Sequence, residues 1–310
     1  MNRCSLLAAV LLLAAPALAR AAALEEGFAA AVHALRAVRP AAFAEGSTQD
    51  QLLQLLDDPD QNVRAQAAKA LREYAPSDRK VQDRLVAIME NGNDNLFVRK
   101  EAVKSLAVSA AQSNDLRRRL IAVAQGNNNP DTVRSIACKA LYTTLAPGSA
   151  ANDSRDALLS LLGENNERPA VRAGAAWGLF PDAAQNGKTQ DALLTAANDQ
   201  WLDADARAEA IRSLYFGLDQ RRAIRESLRS LVDEVLTPMP TRFAAVVVFH
   251  RVNTESAVRE WLQGLARDAT PTQIRTAAIL AQTEGLNEDL ARFFHVTDLN
   301  GRALDPLANE

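Results

Sequence analysis

The feature that most constrains this chain is an arginine that returns about every 35 residues. Successive copies are separated by 35, 35, 38, 35, 35 and 33 residues. The seven copies are Arg64, Arg99, Arg134, Arg172, Arg207, Arg242 and Arg275. The third residue after each copy is alanine in all seven cases, and the sixth is small in nearly all of them. A period of this length predicts a stack of similar units, each contacting its neighbours, rather than one globular core.

Each unit has the pattern of two amphipathic helices. Apolar segments such as "LLQLLDD" and "LVAIMEN" precede the repeated arginine, and turn-forming stretches such as "DDPDQN" and "GENNERP" lie between. The small residues three and six places after the arginine share one side of the second helix, where a neighbouring helix can approach closely. Alanine and leucine are abundant and only 5% of the residues are aromatic, which favours helix over sheet. The sequence therefore predicts an all-α solenoid of about seven helix-turn-helix repeats.

The stretch "DPDQNVRAQAAKAL", which begins at Asp58, and its matching copies resemble the HEAT-repeat family, particularly its short bacterial form similar to the repeats of phycobilin lyases. The resemblance covers about residues 49–285. It implies that the repeated arginine bonds acidic or asparagine residues in the turns, such as Asp58, Asp94 and Asn128. The sixth unit departs most from the pattern, because "TPMPTRFAAVVVF" brings two prolines and no acidic residue in its turn.

Residues 1–21 have the pattern of a secretory signal peptide. Arg3 precedes an apolar run that ends at Pro16, and small residues then allow cleavage after Ala19 or Ala21. A membrane anchor is the alternative, but the apolar run is shorter than the roughly 20 residues that span a bilayer. The prediction is export from a bacterium to a periplasmic or secreted location, with no membrane insertion after cleavage.

Three further regions complete the predicted organisation. Residues 22–48 are predicted as an N-terminal capping helix and linker, 49–285 as the repeat solenoid, and 286–310 as a C-terminal capping helix and tail. Gly285 ends the last repeat helix and Asn287 caps the next one. We expect the tail to be loose or packed on the surface, with His295 an ordinary surface residue.

The sequence contains no constellation that indicates catalysis. His33, His250 and His295 are the only histidines and lie far apart in a linear stack. No glycine-rich phosphate loop and no metal-ligand spacing is present. Cys138 lies inside a helical apolar pattern, so core packing is its predicted role. We therefore predict a non-enzymatic protein without cofactor or metal, and the net charge of -3 argues against a general nucleic-acid binder.

The predicted binding site lies on one face of the second helices. Positions one, five and eight after the repeated arginine fall together, opposite the small residues. From the basic to the aromatic end, the predicted site residues are Lys69, Arg72, Lys100, Lys104, Lys139, Tyr142, Trp177, Phe180, Arg212 and Tyr215. We expect an exposed stripe that binds a protein or peptide, with acidic residues over the basic end and apolar residues over Trp177.

Two alternatives stay open for this face. The lysines are equally compatible with solvated surface, and the aromatic residues with packing between repeats. The family resemblance implies a second alternative, in which the same face binds a small molecule or chromophore, or serves a lyase-like activity.

Overall fold

The computed structural model describes residues 48–145, 152–300, 302–304 and 306–307. The predicted signal peptide and residues 22–47 of the predicted N-terminal capping helix and linker lie outside the described residues. Within those residues, the chain is a succession of helices with one small hairpin near the C-terminus.

Seven helix pairs follow one another along the chain. They are α1 (Thr48–Leu55) with α2 (Gln61–Ala70), α3 (Arg79–Glu90) with α4 (Leu96–Gln112), α5 (Asn114–Gln125) with α6 (Asp131–Ala140), α7 (Asn152–Gly163) with α8 (Pro169–Gly178), α10 (Gly187–Asn198) with α11 (Ala204–Ser213), α12 (Arg222–Asp233) with α13 (Met239–Val247), and α14 (Ser256–Asp268) with α15 (Thr272–Ala281). We number these pairs as units one to seven. The predicted all-α solenoid of seven repeats is confirmed.

Shorter elements join and follow the pairs. These are the four-residue helix α9 (Phe180–Ala183), 3₁₀ turns at Leu71–Glu73, Leu141–Leu145, Tyr215–Gly217 and Val248–Val252, helix α16 (Glu288–Phe293), and the antiparallel strands β1 (Asp298–Leu299) and β2 (Arg302–Ala303). In the part of the chain that is described, no helix is both long and apolar enough to cross a bilayer.

The repeated arginine joins the two helices of its own pair in most units. In five units its Nε donates to the backbone carbonyl ten residues earlier, near the end of the first helix. The acceptors are the carbonyls of Met89, Ala124, Leu162, Ala197 and Val232, at 2.9–3.1 Å. These bonds satisfy carbonyls that a helix C-terminus otherwise leaves without a partner. The sixth unit makes the same bond from Arg242, so its prolines leave this contact in place.

Arginines of the repeated position also link consecutive units. Arg64 Nη2 donates to Asp94 Oδ1 of the next turn at 2.8 Å, as the family resemblance implied. At Asp58 the acceptor is the backbone carbonyl, 2.8 Å from Arg64 Nη1. Arg99 Nη2 bonds Asn129 Oδ1 at 2.5 Å. The expected contact with Asn128 is therefore wrong by one residue, because Asn129 is the turn residue whose side chain points to the guanidinium.

The small residues after the arginine bring neighbouring second helices together. Ser105 Oγ donates to the carbonyl of Ala68 in the preceding unit at 2.8 Å. At Gly178 an added Cβ would collide with the carbonyl oxygen of Cys138. Cys138 itself is fully buried, and burial raises the pKa of its thiol to about 12. The prediction that Cys138 packs in the core is confirmed.

Candidate functional site

The second helices, together with the short turns that follow them, present the predicted site residues on one surface, which we call the second-helix face. Its middle part is an aromatic cluster formed by Tyr142, Trp177 and Phe180, with ring centroids 5.2–5.7 Å apart. Lys139 Nζ lies 5.8 Å from the centroid of the Trp177 ring. The spacing argument thus correctly placed residues from units three and four side by side.

The prediction that this stripe is exposed is wrong for four of its members. Lys104, Trp177, Phe180 and Tyr215 are buried, with 2–6% of each residue exposed. Lys104 is close to Glu101, and Lys104 Nζ donates to Glu101 Oε1 at 2.7 Å. The three aromatic residues pack against neighbouring rings, which include residues from the C-terminus of the chain.

Among the predicted residues, only Lys69 is exposed rather than partly or fully buried. The others keep part of their surface accessible; they are Arg72, Lys100, Lys139, Tyr142 and Arg212. The accessible basic side chains are concentrated in units one to three.

The chain returns to the second-helix face after the last repeat. Gly285, at a φ of 69°, follows the last unit, and the Asn287 side chain caps α16 by accepting from the Leu290 N–H at 2.8 Å. The capping role predicted for Asn287 is confirmed. We call residues 286–307 the C-terminal segment. Its Phe294 stacks on Tyr215 with ring centroids 4.0 Å apart and an angle of 11°.

His295 is buried, so its prediction as an ordinary surface residue is wrong. Only 6% of the residue is exposed. Its ring centroid lies 4.9 Å from that of Trp177 and 5.3 Å from that of Phe180. His295 Nε2 lies 2.5 Å from Glu209 Oε1. The local spacing of residues could not reveal this contact, because the two residues are 86 positions apart.

Glu209 is the central residue that sequence reasoning missed. Burial raises the pKa of its carboxyl, but the charges of His295 and Arg212, the His295 hydrogen bond and the charge of Lys139 outweigh burial and lower the pKa to about 2. Arg212 Nη2 lies 2.9 Å from Glu209 Oε2. The sequence feature that could have indicated Glu209 is a charged residue inside an alanine-rich second helix, two places after the repeated arginine. Glu101 holds the same position in unit two.

His250 connects the face to the start of the C-terminal segment. Its Nδ1 lies 3.1 Å from the Tyr215 hydroxyl, and its Nε2 lies 3.1 Å from the Gly285 carbonyl. These partners suit a neutral ring that accepts from the hydroxyl and donates to the carbonyl. Burial lowers the pKa of His250, although bonds to the backbone of Gly285 and Thr283 oppose it.

The described residues form an open cleft but no cluster suited to a metal ion. No group of three or more His, Cys, Asp or Glu side chains within them is arranged to hold a metal ion. An open cleft of about 310 Å³ lies beside the C-terminal segment, with Arg212, Met239, Phe243 and Phe293 among its lining residues.

Comparison with known proteins agrees with the architecture. The family model described as HEAT repeats matches residues 7–107 and 49–142. Together the two matches span residues 7–142 of the 310 residues. The resemblance predicted from the repeated arginine and alanine is confirmed. No curated protein matches the chain.

Several solved structures are similar to this chain at low identity. The complex of CpcE and CpcF of phycocyanin lyase from Nostoc sp. PCC7120 is 18% identical, covering 83% of this chain and 96% of that chain with a TM-score of 0.45. Human deoxyhypusine hydroxylase in complex with glycerol is 17% identical, covering 80% and 88%, with a TM-score of 0.35. An engineered protein is 16% identical, covering 76% and 98%, with a TM-score of 0.35.

Proposed function

We propose that this protein is an exported, non-enzymatic scaffold that binds an acidic segment of a partner protein on units one to three of the second-helix face. The observation that carries the proposal is a set of accessible basic side chains on the second-helix face, at positions one, five and eight after the repeated arginine. They are Lys69, Arg72, Lys100 and Lys139. The chain as a whole is acidic, so this concentration of positive charge is local.

An acidic partner fits this surface for a physical reason. Opposite charges steer association and lower the dissociation rate when they meet at short range. The carboxylate on the same helix, Glu101, is already bonded to Lys104 and so offsets little of the remaining charge. Because the Debye length is about 10 Å at 0.1 M salt, we expect the affinity to fall as salt concentration rises.

The aromatic end of the face plays a different part from the one expected from sequence. We expected apolar residues of a partner over Trp177, but the side chain of His295 lies there. The partner site of this proposal is therefore restricted to the basic end.

Charge reversal tests the binding proposal. The variant Lys69→Glu/Arg72→Glu/Lys100→Glu reverses the charge of the three accessible basic side chains in units one and two. The matched control Lys80→Glu/Lys188→Glu/Arg222→Glu changes the net charge equally, at side chains that are 69–84% exposed on first helices. Partners recovered with the wild-type chain from its native host are purified and titrated against all three proteins. We expect at least tenfold weaker binding for the first variant alone; equal loss in both variants would contradict the proposal.

Export has its own test. The proposal is supported by the charged start, apolar run and small-residue cleavage sites in residues 1–21. N-terminal sequencing of the protein from its native host should find a chain that begins at Arg20 or Ala22. A chain that retains Met1 or Asn2 would contradict export through signal cleavage.

Small-molecule or lyase-like binding is the second candidate, and the open cleft beside Phe293 favours it. Its volume of about 310 Å³ and its mixture of apolar side chains with Arg212 suit a small amphipathic ligand. Protein purified from the native host should then show a visible absorption band or a bound compound by mass spectrometry. A colourless protein without bound compound would leave the scaffold proposal as the better one.

A further inference from the structure

We propose that units four to six of the second-helix face form a second peptide-binding site, which takes a partner segment with two consecutive aromatic residues followed by a basic residue. In the described structure the chain's own Phe293, Phe294 and His295 occupy this site in cis. The proposal goes beyond the acidic-segment site of units one to three and does not depend on it.

The occupant shows which side chains the site accepts. Phe293 lies under the Arg212 guanidinium, whose Cζ is 5.2 Å from the ring centroid. Phe294 is fully buried, stacks on Tyr215, and has a ring centroid 5.9 Å from that of His250. His295 places its ring beside Trp177 and Phe180 and its Nε2 at the Glu209 carboxylate. Three consecutive side chains therefore enter three adjacent positions on the face.

The walls of the site are held by contacts that do not involve the C-terminal segment. Trp177 and Phe180 pack edge-on to each other, and both contact Tyr142. Glu209 is bonded to Arg212 on its own helix. Because these contacts lie within and between repeats, we expect the site to keep its shape when the segment leaves.

The position that His295 occupies favours a basic side chain. The faces of aromatic rings attract cations, and the carboxylate of Glu209 adds a full negative charge. Arg212 and Lys139 lie close to that carboxylate, so the site has room for one further donor rather than several. An acidic side chain at this position would meet Glu209 at short range and would be rejected.

A partner peptide must displace the chain's own C-terminal segment before it can bind this site. A segment tethered by a short linker has an effective concentration on the order of millimolar, so a free peptide competes poorly with it. Weakening the cis segment should therefore reveal the site to a peptide in trans. This difference between cis and trans occupation is what the experiment measures.

The test uses full-length chains and a fluorescent peptide, NEDLARFFHVTD, which copies residues 287–298. The variant Phe294→Ala/His295→Ala weakens the cis occupant and leaves every wall residue in place. We expect this variant to bind the peptide at least tenfold more tightly than the wild-type chain does. Adding Glu209→Gln to the variant should weaken binding at least fivefold, and a control peptide with NEDLARAAAVTD should bind neither protein.

Two results would overturn the proposal. Equal peptide affinity for the wild-type chain and the double variant would show that the peptide binds elsewhere. No binding to a double variant that keeps its far-UV circular dichroism would show that the segment is a permanent part of the fold. If that variant loses its helical signal, hydrogen exchange on the wild-type chain decides: unlabelled peptide should accelerate exchange in residues 288–296, and unchanged exchange at saturating peptide would contradict displacement.

The two binding sites can fail independently. The Lys69→Glu/Arg72→Glu/Lys100→Glu variant, combined with Phe294→Ala/His295→Ala, should retain the peptide affinity of the double variant. If this combined variant no longer binds the acidic partner but still binds the peptide, the lost binding belongs to the basic end alone and the peptide site stands.

Discussion

Units two and five each place a glutamate and a basic residue at the same two positions and use the ion pair differently. Glu101 and Lys104 stand two and five places after the repeated arginine in unit two, and Glu209 and Arg212 do so in unit five. The nitrogen–oxygen distances are 2.7 and 2.9 Å. In unit five a third member, His295, arrives from outside the repeats. The repeat thus supplies a position for a charged pair, and a distant segment decides whether that pair becomes part of a docking site.

The largest expected effect comes from removing the two carboxylates in turn. Glu209→Ala leaves His295 and Arg212 without their shared partner in a buried place, and losing one member of a buried pair costs about 3 kcal/mol. Glu101→Ala leaves a single buried side chain, Lys104, without this carboxylate partner, so we expect a smaller loss, on the order of 2 kcal/mol. Urea unfolding followed by far-UV circular dichroism measures both values. Equal losses would show that the third member adds nothing to unit five.

Lowering the pH tests the role of the Glu209 carboxylate without shortening its side chain. The folded-state pKa of Glu209 is lowered to about 2 from the ordinary value of 4.5, so its stabilising contribution is complete above about pH 4.5 and is lost as the pH falls towards 2. The difference in unfolding free energy between wild type and Glu209→Gln should therefore shrink over that range. The charged groups facing Glu209 are His295, Arg212 and Lys139. A difference that stays constant from pH 5 to 2 would contradict the contribution of the ionised carboxylate.

The contrast between the two units also shows what sequence could and could not predict. The 35-residue period predicted the seven helix pairs, and the positions relative to Arg64 and its copies correctly placed Lys139 beside Trp177, because both follow from helix geometry. The burial of Trp177 against His295 was not predictable in this way. The path of residues after Gly285 depends on tertiary packing, and the repeat pattern contains no information about a segment outside it. Glu209 was visible only as one acidic residue among alanines.

The close contact between neighbouring second helices should not depend on the difference between the ion pairs of units two and five. Gly178→Ala would push a methyl group into the Cys138 carbonyl and should cost about 1–3 kcal/mol. Gly187→Ala is the control, since an added Cβ there meets nothing within 4 Å. Thermal unfolding measures the two changes. A neutral Gly178→Ala would mean that the helices can separate slightly, and the face above them would then be less rigid than the docking of His295 requires.

The smallest expected effect concerns the boundary between the two ends of the face. Lys139 Nζ lies 5.8 Å from the Trp177 ring centroid, while Lys69, at the equivalent position of unit one, is exposed. Lys139→Gln removes a cation–π contact and should cost about 0.5–1 kcal/mol, whereas Lys69→Gln should change stability by less than about 0.5 kcal/mol. Tryptophan fluorescence in a Trp201→Phe/Trp261→Phe background reports the change near Trp177, because Trp177 is then the remaining tryptophan. If Lys139→Gln and Lys69→Gln give the same fluorescence and stability as the parent, the basic and aromatic ends are energetically separate, and each site can be varied without the other.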